Sequence, residues 1–213
     1  MKNCIAPANR NTRRILPIAC VTALAAAFTV SKSHPVHADE VNPPPVPSNI
    51  QVPAGSKAFL VGHAVGTQNY VCLPSGTDVK FVLFTPQAIL FNGGDKSELT
   101  THYFSPNPSE GGTIRATWQH TRDTSTVWGQ ARPGESSSDP NFVAVGAIAW
   151  VLLRVVGTEV GPTGGDTLTS TTFIQRLNTS GGNAPSTGCT SSTDVGHQAF
   201  VPYTADYYFY RGR

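Results

Sequence analysis

The chain has 213 residues, 39% hydrophobic and only 13% charged, with 15 Lys and Arg against 13 Asp and Glu. Five of the basic residues (Lys2, Arg10, Arg13, Arg14, Lys32) come before Ala38 and every acidic residue comes after it, so the remainder has ten basic and 13 acidic residues, a net charge of −3. That balance, without any Lys/Arg cluster, excludes binding to nucleic acid through phosphate neutralisation, and 213 less 38, or 175, residues suit one domain core better than two.

Residues 1–38 read as a cleaved signal peptide. The basic residues at 2–14 precede an uncharged apolar run from Ile15 to Val30, too short for a membrane span, and Val36-His37-Ala38, with a small residue at its end and Val two before it, fits signal-peptidase cleavage. A lipoprotein cut before Cys20 is the weaker alternative, because Pro17-Ile18-Ala19 lacks the usual Leu. Cleavage after Ala38 leaves Cys72 and Cys189 as the two remaining cysteines, which predicts one structural disulfide in an oxidising compartment, with no C-x-x-C to suggest a redox pair. The mature protein is therefore expected to be secreted or periplasmic.

Residues 39–52 (DEVNPPPVPSNIQV) read as a Pro-rich spacer, since four prolines fix backbone angles and remove amide donors. From residue 53 to 213 the pattern is that of a single β domain. Short apolar or alternating runs are divided by Gly, Pro, Asn and Asp, at 58–65, 69–73, 79–84, 88–91, 101–104, 114–119, 126–130, 147–156, 171–177 and 199–210. A helix over 144–156 is the one competing reading, and the turn-rich sequence after it favours a buried strand. The expectation is an all-β, antiparallel β-sandwich or barrel-like domain. A lipid-spanning barrel is disfavoured because these runs fall short of the roughly 9–11 residues that each such strand needs.

Several motifs in order along the chain, GTQNYVC at 66–72, FTPQAILFN at 84–92, HYFSPNP at 102–108, AIAWVLLRV at 147–155, FIQRLNTSGGNAPSTGC at 173–189 and VPYTADYYFY at 201–210, are similar to those of the exported bacterial and fungal family known as domain of unknown function 3455. The resemblance covers nearly all of the mature chain. It implies no catalytic or binding residue, since the family has no assigned activity. The dehydrogenase label on some fungal relatives finds no support, because no G-x-G-x-x-G occurs here.

Chemical candidates are sparse. GPTGGDT at 161–167 lacks the Lys of a phosphate loop and reads as a hairpin turn, and Ser180-Gly181-Gly182-Asn183 reads as a turn too. His63, His102, His120 and His197 show no metal-ligand spacing, so no metal and no cofactor is expected. His102 stands out beside Tyr103 in a turn-flanked motif, and with Trp118, Trp128 and Tyr207 these form the candidate binding residues. Arg176, in a strand beside Leu177 and near Ile174, calls for a carboxylate partner such as Asp166 or Asp206. Carboxylates including Asp95, Glu98, Asp123 and Glu159 could form a hydrolytic pair if the fold joined them, but no G-x-S-x-G elbow is present. The reading is an exported binding or structural module with a saccharide or protein ligand; the alternative is a carboxylate-based hydrolase acting on saccharides or envelope polymers.

Overall fold

The computed structural model of the protein describes residues 41–212. The signal peptide read from residues 1–38 lies outside them. Nine strands follow in chain order: β1 (Lys57–Ser75), β2 (Asp78–Phe91), β3 (Glu98–Asn107), β4 (Thr113–His120), β5 (Thr126–Gln130), β6 (Ser136–Ser137), β7 (Trp150–Glu159), β8 (Phe173–Gly181) and β9 (Gln198–Arg211). All pairings are antiparallel, in the order β5-β4-β3-β2-β1-β9-β8-β7-β6, and β5 returns to pair with β7 from Thr126↔Glu159 to Gln130↔Arg154. Eight strands therefore close a barrel, with β6 on the flank of β7. Of the two all-β architectures expected, the barrel is the one formed.

Four of the expected runs merge into two long strands. The apparent breaks Gly66-Thr67-Gln68 and Thr85-Pro86-Gln87 face each other across the β1–β2 ladder, and a bulge at Asn69/Tyr70 takes up the coiling. Gly66 belongs there because a Cβ would collide with the Gln87 carbonyl and Ala88. With β1 at 19 residues and β2 and β9 at 14 each, strand length no longer argues against a lipid-spanning barrel. The stretch at 144–156 is a strand from Trp150 onward, preceded by turns rather than by a helix.

The wall has one seam. Pairing of β2 with β3 runs from Phe91↔Glu98 to Ala88↔His102 and stops, while β3 continues along β4 to Asn107↔Thr113. Pro86 and Pro106 fall in the segments that border the unpaired stretch, where a residue without an N–H sacrifices no ladder bond. One side-chain bond bridges the gap, from Phe104 N to Thr85 Oγ1 at 3.0 Å.

Alternation along the strands sends Leu90, Trp118, Val127, Ile174, Tyr207 and Phe209 into the barrel, all at most 1% exposed. A second core lies outside the barrel, where Trp150, Leu152, Leu177, Tyr208 and Tyr210 are covered by the segment at 41–52. The prolines keep this segment out of the sheet, and it closes in a 3-10 turn at Ser48–Ile50. Ile50 at its end is fully buried, its carbonyl accepts from Gln175 Nε2 at 2.7 Å, and Asn49 Nδ2 donates to the carbonyls of Gly134 and Ser136, each at 2.8 Å. We refer to residues 41–52 as the strap.

The expected disulfide forms. Cys72 and Cys189, 5.4 Å apart at Cα, fasten the long β8–β9 connection to β1, where Cys72 N also donates to the His197 carbonyl at 2.8 Å.

The β7–β8 connection, which holds the GPTGGDT turn, is fixed by Asp123. Its carboxylate accepts from Thr167 N and Oγ1 (3.0 and 2.6 Å) and from Ser125 N and Oγ (3.0 and 2.7 Å), and Leu168 is thereby carried into the interior core. Burial opposes ionisation of Asp123, but the bonds from Thr167 and Ser125 outweigh it and hold the carboxyl well below its usual range. A depressed folded value contributes stability above the unfolded carboxylate value of about 3.9 and loses it as pH falls further. Asp123→Asn is expected to cost about 2–3 kcal/mol at pH 7, a gap that narrows below about pH 4, as read from urea midpoints.

Candidate functional site

The inward-facing rings do not fill the barrel at the end where β2 leaves β3. A cavity of about 300 Å³ remains there, reaching the surface at Gln130 and Ala131. Its walls are mostly apolar, from Leu83, Phe104, Ala116, Val151 and Leu153, and Gly129 keeps open the space that a side chain would take against Trp118 and Leu153.

Aromatic rings line its inner part. His102 stacks on Trp118 with 4.2 Å between centroids and 8° between planes, and Tyr207 meets both at 5.0 and 5.4 Å. His102 Nδ1 donates to the Thr117 carbonyl at 2.9 Å, which leaves Nε2 as an acceptor. Burial pushes this imidazole down to about 3, so it is neutral at physiological pH. Burial likewise raises the Tyr203 and Tyr207 hydroxyls, which lie 3.3 Å apart, so they stay protonated.

Into this neutral surround β8 sends Arg176. Cross-strand from Val151 and Tyr207, its guanidinium donates from Nε and Nη2 to the Ala149 carbonyl at 3.3 and 2.9 Å and approaches the Tyr207 hydroxyl. Among the described residues no carboxylate lies within ion-pair distance of it, which corrects the expected pairing with Asp166 or Asp206. Asp206 is instead engaged by His63 Nδ1 at 2.6 Å and by Asn178 Nδ2 at 2.8 Å. The other arginine at the cavity, Arg115, is neutralised by two bonds of 2.7 Å from its Nε and Nη2 to Glu110, whose carboxyl that contact and Asn107 hold down to about 2. Two residues of the lining have a buried donor without an aligned partner, Trp118 Nε1 and Gln68 Nε2, the latter close to the Tyr203 hydroxyl; Thr100, Trp150 and Thr171 have such atoms elsewhere in the fold.

The family model described as Protein of unknown function (DUF3455) matches residues 53–211. The chain belongs to that family. No curated protein and no solved structure matches it. The matched range takes in all nine strands of this DUF3455 barrel and begins just after the strap.

Of the five candidate binding residues, the fold gathers His102, Trp118 and Tyr207. His102 is not flanked by turns; it sits in mid-β3, 4% exposed. Tyr103, the next residue, faces the opposite way and lines a shallower outer groove of about 800 Å³ with Val65, Gln87, Ile89, Thr101 and Gln119. Trp128 lies on the outer side of β5, where its Nε1 donates to Ser105 Oγ at 2.9 Å. Sequence patterns gave no signal for Gln68, hidden in a supposed break, and placed Arg176 in a strand with a carboxylate partner rather than at a cavity without one.

Proposed function

We propose that this DUF3455 domain is an exported binding module that takes a small molecule into the mouth of its barrel. The observation that carries the reading is a ligand-sized cavity with mostly apolar walls, enclosed by the barrel and open to the surface at Gln130 and Ala131. The outer groove is shallower and has no charged residue in its lining. The disulfide supports an extracellular or periplasmic setting, and the packed apolar interior argues against a lipid-spanning barrel, whose interior is polar.

Hydrolysis by carboxylates has weaker support. No Asp or Glu lines the mouth or the outer groove, and the His63–Asp206 pair belongs to neither. A thermal-shift screen of small organic compounds and saccharides against the oxidised protein tests the proposal. At 100 times its dissociation constant a ligand adds about 2.7 kcal/mol, or roughly 5–10 °C. Stabilising compounds are expected to lose their effect on Ala116→Phe, which fills the mouth. Saccharides that stabilise both proteins equally would move the site to the outer groove.

A further inference from the structure

We propose that the ligand of the barrel mouth is a small monocarboxylate with an apolar body, its carboxylate held by Arg176. This rests on the reading of the mouth as a binding site and names the chemistry of what enters it.

Arg115, at the rim of the mouth, and Arg154, on the outer face of β7, each have a carboxylate, Glu110 at 2.7 Å and Glu135 at 2.6 Å. Arg176, drawn inward, has a single carbonyl for its two short contacts, although a guanidinium carries five N–H donors. Its neighbours His102, Tyr203 and Tyr207 supply no negative charge, and the lining of the mouth contains two arginines and no Asp or Glu. A half-buried cation without a counter-ion is costly wherever it merely supports the fold, and the usual remedy, a carboxylate on a neighbouring strand, is absent here among the described residues. The missing negative charge is the complement of the ligand.

Geometry narrows the class. The planar guanidinium fork matches the two oxygens of a carboxylate, whereas a phosphate dianion would call for further cations that the mouth lacks once Arg115 is paired with Glu110. Beyond Arg176 the walls are Leu83, Phe104, Val151 and Leu153, which require an uncharged, apolar body. About 300 Å³ accommodates an aromatic or short aliphatic acid of roughly ten carbons and excludes a polymer chain.

The test compares each acid with its neutral amide, which keeps the shape and removes the charge. Calorimetric titration of the oxidised protein with 3-phenylpropionate and octanoate is expected to show binding at least tenfold tighter than with 3-phenylpropionamide and octanamide. Arg176→Met should remove the preference while leaving the weaker amide binding in place, and Arg176→Lys should keep part of it. Equal affinity of acid and amide for the wild type, both abolished by Ala116→Phe, would overturn the carboxylate assignment and leave the mouth standing as a binding site. Absence of binding by all four compounds would overturn both. The wild-type comparison decides the matter even where a variant fails to fold.

Discussion

Replacing Cys72 and Cys189 together by serine is expected to lower stability by about 2–5 kcal/mol and the melting temperature by roughly 5–20 °C. The bridge spans 117 residues, and in the chain-entropy account a loop of about 100 residues contributes about 4.7 kcal/mol by restricting the unfolded chain. The folded side of the balance points the same way. The β8–β9 connection has little hydrophobic cover of its own: Val195 is 43% exposed, and most of the residues at 183–197 are exposed as well. Cys72, in contrast, is fully buried. Without the bridge this connection is held by backbone bonds such as Gly196 N to the Cys72 carbonyl at 2.9 Å, and by the capping box in which Ser191 and Asp194 bond each other's backbone. Unfolding of the double variant in urea, compared with the oxidised wild type, measures the effect; coincident transitions would show that the loop is secured without the disulfide.

The second large effect is expected at the strap. Ile50→Ala should cost about 2–4 kcal/mol, the range for truncating a fully buried aliphatic side chain. A spacer with no packing role would show almost none. Ile50 meets the outer face of β7, β8 and β9, where Gln175 joins the strap to the barrel by donating to the Ile50 carbonyl and accepting from the Tyr210 hydroxyl. Because the strap can lift off without opening the barrel, the loss is bounded by the free energy of that local detachment. Limited proteolysis separates the two events: cleavage within residues 41–52 of the variant at temperatures where the barrel resists would identify detachment, and urea unfolding gives the total.

Much of the fold was legible because its determinants are local. Alternation and β-branched content mark nearly every strand, and the two cysteines left after Ala38 had one partner each. The strand boundaries were not, for a physical reason: Gly66 and Pro86 are strand breakers in isolation, and here they serve a tightly coiled ladder and an open seam that exist only once β1, β2 and β3 are assembled. Barrel closure depends on the pairing of β5 with β7, which no single segment encodes.

The candidate site was legible in part. The aromatic candidates were named as a group, and sequence does not say which face of a strand looks inward. Tyr103, beside His102, and Trp128, beside Val127, ended outside for that reason. The strap misled in another way. Prolines forbid it from joining the sheet, yet they do not forbid the chain from covering apolar rings, and Ile50, with Val41, Val46 and Val52 beside it, anchors it there. Arg176 raised the question of its counter-ion, and a protein partner was the natural answer; that its ion-pair distance holds no carboxylate emerges only from three-dimensional placement.

Backbone amide shifts of the oxidised protein during titration with 3-phenylpropionate distinguish the mouth of the barrel from its outer groove as the ligand site. Saturable shifts are expected at Gln68, His102, Ala116, Gly129, Val151 and Arg176, around the mouth. Shifts confined to Val65, Gln87, Ile89, Thr101 and Gln119 on the outer face would contradict binding at the mouth.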